Sequence, residues 1–200
     1  DGRDSWVREA AGLTAINSHY GEKGVVANFA CAKPHRNIAW QWFRDDGVLA
    51  WLPLPGNRIS IVWSTPDAAA DALCALPATE FCQQVADAGG NVLGTLELIT
   101  APQAFPLRLM RVPEIVAPRL ALVGDAGHGI HPLSGHGINL GFQDARELAE
   151  RLLASRPWED IGQLRFLQAY QRARREEILL LQSTTDGLRR LFASPSPVLR

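Results

Sequence analysis

The chain has 200 residues and a formal net charge of −1, which is long enough for one domain or two small ones and too balanced for electrostatic capture of nucleic acid. It is 46% hydrophobic and 20% charged, which excludes a disordered chain and allows a real core. No apolar run reaches the roughly 18 residues of a membrane span, and no signal-peptide pattern is read at the start. Cys31, Cys74 and Cys82 are odd in number and lack metal-ligand spacing, so they fit buried free thiols in a reducing, cytoplasmic setting. The chain opens on Asp1-Gly2 and closes on SPSPVLR, and it reads as a piece of a longer protein to which any activity belongs.

In chain order, residues 25–31, 38–43, 48–52 and 58–63 are short runs rich in Val, Ile, Trp and Phe, predicted as antiparallel strands. Asp46-Gly47 and Gly56-Asn57 separate consecutive runs and predict hairpin turns, because glycine and its Asn or Asp neighbour tolerate positive φ. Residues 67–88 carry helical spacing that Pro77 splits into two short helices, the second starting near Ala78-Thr79. Residues 91–100 and 105–110 return to extended character, so the block 21–115 is expected to be a sheet with helices packed on one side. Trp40, Trp42 and Trp51 are read either as plain core or as the lining of an apolar pocket.

From Arg119 the pattern changes. RLALVG predicts a buried strand, and Ile138, Phe142, Ala145, Ala149 and Leu152 predict the buried stripe of an amphipathic helix. A longer helix is predicted over 162–192. Between strand and first helix lies GDAGHGIHPLSGHGINLGFQDA, residues 124–145, which holds six glycines and three of the five histidines. Asp125 at a strand's carboxyl end suits hydrogen bonds from ligand hydroxyls. Gly135 and Gly137 let a flat ligand approach the main chain. The helix start at Gly137-Ile138-Asn139 presents unpaired N–H groups and partial positive charge. Competing readings are a purely structural loop and a metal site from Asp125, His128, His131 and His136. The second is disfavoured because these histidines fall on a loop rather than one helix face. A P-loop fails for want of its Lys and Ser/Thr, and a nucleophile elbow fails because Pro132 stands where a glycine is required.

Gly124-Asp125-Ala126-Gly127-His128, Pro132, Gly135-His136-Gly137-Ile138-Asn139 and Asp144-Ala145 together resemble the second FAD-binding motif of the flavoprotein aromatic hydroxylases. LAWLPLP (49–55), FPLRL (105–109) and YQRARREEILLLQSTTDGLRRLF (170–192) are similar to the branch that hydroxylates the ubiquinone ring precursor. Asp1, Gly2, Ser5 and Arg8 resemble the family's Asp-Gly motif, which lies near the cofactor's pyrophosphate and is implicated in NAD(P)H use. Two positions depart from the pattern: Gly127 stands where the family usually has Ala, and His136 where it often has Gln.

The resemblance implies an α/β (α+β) fold: the C-terminal part of an FAD-binding three-layer fold with an inserted antiparallel substrate domain, then long C-terminal helices. Its segments would be 1–20, the end of the first FAD segment; 21–115, the substrate sheet; 116–155, the Gly-Asp motif and helix; and 156–200, the helical end. The family's G-x-G-x-x-G unit, which holds the ADP half of FAD, would be expected before Asp1. The resemblance implies FAD as cofactor and NAD(P)H as reductant, with one oxygen atom of O₂ delivered to an aromatic or prenylated phenol ring. Asp125, Pro132, Gly135, Gly137, Ile138, Asn139, Asp1 and Arg8 would serve the cofactor. No obligatory acid or base stands out, and His131 is the candidate polar group near the ring. Peripheral association with a membrane's cytoplasmic face or with a biosynthetic complex goes with such a substrate. The alternative is a non-catalytic scaffold that keeps the fold.

Overall fold

The structure, a computed structural model, describes residues 1–131 and 135–192. It is mixed α/β, with an antiparallel sheet followed by helices. The chain divides into two compact units, one of Asp1–Ser18 with Arg108–Arg190, the other of His19–Leu107 with the C-terminal residues from Leu191. Among the described residues no helix is long and apolar enough to cross a membrane.

The second unit is built on a sheet. Strands β1 (Ile16–Cys31), β2 (Trp40–Arg44), β3 (Gly47–Leu54), β4 (Arg58–Pro66), β5 (Leu96–Leu98) and β6 (Gln103–Arg111) run in the order β2-β3-β4-β1-β6, with β5 also paired to β1. Both predicted hairpin turns form, with Gly47 at φ 131° and Gly56 at φ 76°. Alternate residues point to one face: Val25, Ala27 and Phe29 of β1, Leu49 and Trp51 of β3, Ile59, Ile61 and Trp63 of β4 are all buried. Helices α2 (Asp67–Ala75) and α3 (Ala78–Ala88) cover that face with Ala70, Leu73, Phe81 and Val85. The break between them falls at Pro77, which caps α3, as its missing N–H and fixed φ require.

Two expectations are corrected. β1 starts at Ile16, well before residue 25. Of residues 91–100 only Leu96–Leu98 is strand, because Gly90, Asn91 and Gly94 all take positive φ and turn the chain. Of the two readings of the tryptophans, core packing is the one observed: Trp51 is fully buried, and Trp42 packs edge-on against it at 5.0 Å, with Trp40 packed on the same core. The hydrophobic gain of each such large side chain, about 2–3 kcal/mol, explains why it sits there.

The first unit holds α1 (Trp6–Ala10), the end of β6, the two-residue strands β7 (Val116–Ala117) and β8 (Leu120–Ala121), a 3-10 turn (Gly124–Ala126), β9 (His128–Gly129), α4 (Gly137–Ala154) and α5 (Leu164–Phe192). RLALVG is therefore not one buried strand. Two of its residues pair with β7, Val123 is exposed, and Gly124 at φ 59° turns the chain at once.

The face of α4 is also reversed. Ile138 is 69% and Phe142 67% exposed, and Ala145, Ala149 and Leu152 lie on the same open side, while Leu140 and Asp144 are buried. The physical reason is polar. Asp144 carries the helix's strongest inward partners, described below, and they set its rotation against the apolar stripe.

Gly89, at the end of α3, marks the tightest fit in the second unit. A Cβ there would lie 2.3 Å from the Trp51 ring. Gly89→Ala is expected to cost about 1–3 kcal/mol through overpacking, read as a lower urea midpoint at unchanged slope. An unchanged midpoint would mean that Trp51 moves freely.

Candidate functional site

The Gly-Asp turn is held from three sides. Asp144 of α4 accepts from the Gly124 N–H (2.8 Å), from His128 Nε2 (2.6 Å) and from Arg174 Nε of α5 (2.8 Å). Asp144, His128 and Arg174 are all buried. Burial alone would raise the Asp144 pKa, but the bonds from His128, Arg174 and Gly124 outweigh it and hold the carboxyl below its ordinary range. Arg174 is in turn pushed up, because its bonds to Asp144 and Glu177 outweigh the burial that lowers it. Gly124 and Gly141 lie against each other, with room for no more than an ordinary contact of 3.4 Å between a Cβ on Gly141 and the Gly124 Cα. The turn thus rests on the second turn of α4.

The N-terminal segment is tied to the same turn. Asp1 Oδ2 accepts from Ser5 Oγ (2.8 Å) and the Val7 N–H (3.0 Å), and Ser5 Oγ accepts from the Arg8 N–H as the cap of α1. Arg8 is buried and donates to the Ala126 carbonyl (3.0 Å) and the Arg3 carbonyl (2.8 Å). Arg3 Nε lies 3.5 Å from Asp125 Oδ2, and the Asp125 side chain is half exposed. The structure therefore brings together Asp1, Arg8 and Asp125, which lie far apart in the sequence.

At the start of α4, His136 occupies the cap position and no side chain caps the helix. The first helical N–H groups, at Gly137, Ile138 and Asn139, have no partner within the helix by its geometry. Ile138 and Asn139 are exposed. Gly135 sits at φ 62° with open space where a Cβ would be. His131 is buried, and Pro132 lies outside the described residues. An acceptor carboxylate, bare glycine backbone and an uncapped helix terminus fit a flat ligand that has hydroxyls and an electron-rich edge. Among the described residues no three His, Cys, Asp or Glu side chains gather as a metal site, and the His128 ring faces Asp144.

Arg3 and Arg174 and the bridging position of Asp144 were not drawn from the sequence. A signal existed: Leu140, Asp144 and Leu148 lie four residues apart, which lines the carboxylate up with two leucines on one helix face.

Gly127 fits either residue. A Cβ would meet Ile115 at 3.4 Å and Leu122 at 3.5 Å, ordinary contacts. Gly127→Ala is expected to raise stability by about 0.4–1 kcal/mol, measured by denaturant unfolding. Asp144→Asn is expected to cost about 3 kcal/mol by removing the buried charge partner of Arg174, which keeps only Glu177, at the edge of the site, as a counter-ion. A depressed carboxyl pKa gives stability that is present above the unfolded value and lost as pH falls through the folded one. The variant should therefore also lose part of the protein's acid sensitivity below the usual carboxylate range. A full acid limb in Asp144→Asn would place that sensitivity elsewhere.

Comparison with known proteins gives a consistent result. The model of the FAD binding domain family matches residues 1–179. The chain is 40% identical over 195 residues to the ubiquinone hydroxylase UbiL of Rhodospirillum rubrum, covering 97% of this chain and 46% of that protein. It is 33% identical to the 3-demethoxyubiquinol 3-hydroxylase of Escherichia coli, covering 100% of this chain and 51% of that one. Among solved structures it is similar to PqsL, a probable FAD-dependent monooxygenase from Pseudomonas aeruginosa, with TM-score 0.79, 25% identity, and 97% and 55% of the two chains covered. The chain spans about half the length of the curated relatives it matches.

Proposed function

The chain belongs to the FAD binding domain family, and from that premise we propose that it is part of an FAD-dependent monooxygenase. Its substrate would be an aromatic ring, a prenylated phenol or quinol of ubiquinone biosynthesis, with NAD(P)H as reductant and O₂ as oxygen donor. One observation carries the flavin reading: a half-exposed Asp125 on a turn locked against a helix whose N-terminus has no side-chain cap. The relatives named for ubiquinone hydroxylation support the substrate class.

Bound FAD would supply electron transfer from NAD(P)H to O₂, and this chain's residues supply binding and orientation. Asp125 would accept a hydrogen bond from a hydroxyl of the cofactor. The N–H groups of Gly137, Ile138 and Asn139 would hold its electron-rich edge, where a helix N-terminus stabilises negative charge. Gly135 would leave room for the ring. Asp1 and Arg8 act through the backbone they hold: Asp1 fixes α1, and Arg8 fixes the Ala126 carbonyl beside Asp125. Arg3 helps to aim Asp125. His131 is the polar side chain offered near the ring. Peripheral association with a membrane's cytoplasmic face would give the site access to a prenylated substrate.

Asp125→Ala is expected to weaken FAD binding tenfold or more, the loss of one charged hydrogen bond worth about 1.5–3 kcal/mol. Titration of the purified protein followed by flavin fluorescence reads this directly, with Gly127→Ala as a control of unchanged affinity. Equal affinity in Asp125→Ala would remove Asp125 from the site. No flavin binding by the unaltered protein would favour the scaffold reading.

A further inference from the structure

A cavity of about 200 Å³ lies in the first unit, between the end of β6, the start of β9 and one face of α5. Val112, Pro113, Ile115, Ile178 and Leu179 give it apolar walls. Most of its polar side chains are already engaged. Gln171 accepts from the Ile115 N–H and donates to Glu114, Gln182 donates to the Met110 and Gly129 carbonyls, and His128 is held by Asp144. Arg111 and Arg175 also line the cavity, and neither makes an ion pair or a side-chain hydrogen bond among the described residues. Two arginines without an ion-pair partner among the described residues thus line one small, largely apolar space.

We propose that this cavity binds a small amphipathic anion, with a carboxylate or phosphate head on the arginines and an alkyl or aromatic body against the apolar wall. Guanidinium groups pair with planar or tetrahedral oxyanions through two parallel N–H donors. The walls favour a carbon body over a hydrated inorganic ion, because water around it would gain few partners there. The volume is below that of a drug-sized pocket, which limits the body to a single ring or a short chain. Gly127 and His128 form part of the wall, so a ligand here touches the rear of the loop that carries Asp125. The inference does not rest on the flavin reading, since none of the residues proposed to contact FAD lines the cavity.

The test is calorimetric titration of the purified protein with octanoate, octyl phosphate, 1-octanol and inorganic phosphate. At least one amphipathic anion is expected to bind with Kd below about 1 mM, and the anion that binds tighter identifies the head group. The neutral alcohol and inorganic phosphate should bind at least tenfold more weakly. The double variant R111Q/R175Q, which alters two exposed side chains, should weaken the anion tenfold or more with unchanged circular dichroism. Ile178→Trp, which fills the cavity, should do the same. Equal binding of octanol, equal binding of bare phosphate, or full affinity in the double arginine variant would overturn the proposal.

Discussion

Asp144 is a buried carboxylate that receives one donor from each of three separate stretches of chain: the Gly124 N–H, the His128 ring and the Arg174 guanidinium. The arrangement around the Gly-Asp turn depends on it. A buried ion pair is weak evidence for net stability, because removing both charges from water costs several kcal/mol. Its value here is geometric. Each donor would be left unsatisfied in low dielectric if its segment shifted, so turn, α4 and α5 are held in one relative position. That position leaves Asp125, one residue on from Gly124, half exposed and ready to accept.

The same interaction explains where hydrophobic periodicity misled. For the sheet, alternation of Val, Ile, Leu and Trp was enough: side chains on one face are buried, on the other half-exposed, and period two reports this directly. Pro77 likewise marked a helix boundary because its constraint is local. The rotation of α4 followed neither rule. Ile138, Phe142 and Ala145 offered the wider apolar stripe, yet the helix turns Leu140, Gly141 and Asp144 inward. A charge with partners outside its own element outranks an apolar stripe, and nothing local in residues 137–154 reveals those partners. Arg174 lies 30 residues away, and Arg8 reaches Ala126 across 118 residues. The motif residues could be read from the sequence, while the side chains that aim them could not.

Glycine serves two different purposes along this chain. At Gly89 a side chain is excluded by the Trp51 ring, so this position is a matter of packing. At Gly135 and Gly137 nothing stands where a Cβ would be. Bare backbone beside open space, next to an uncapped helix start, is what a site needs for the close approach of a ligand. Steric need separates the two groups where composition could not.

The first unit is made of two pieces of chain with residues 19–107 between them. That interval begins on β1 and returns on β6, which are neighbours in one sheet. Its order of formation therefore matters. Bringing Arg8 to Ala126 through an unstructured chain closes a loop of 118 residues. If the sheet forms first, its own pairing brings the ends of the interval together, and roughly thirty flexible residues remain to be closed, a saving of about 1 kcal/mol in loop entropy. The Gly-Asp turn is thus set to assemble late, after the sheet has folded.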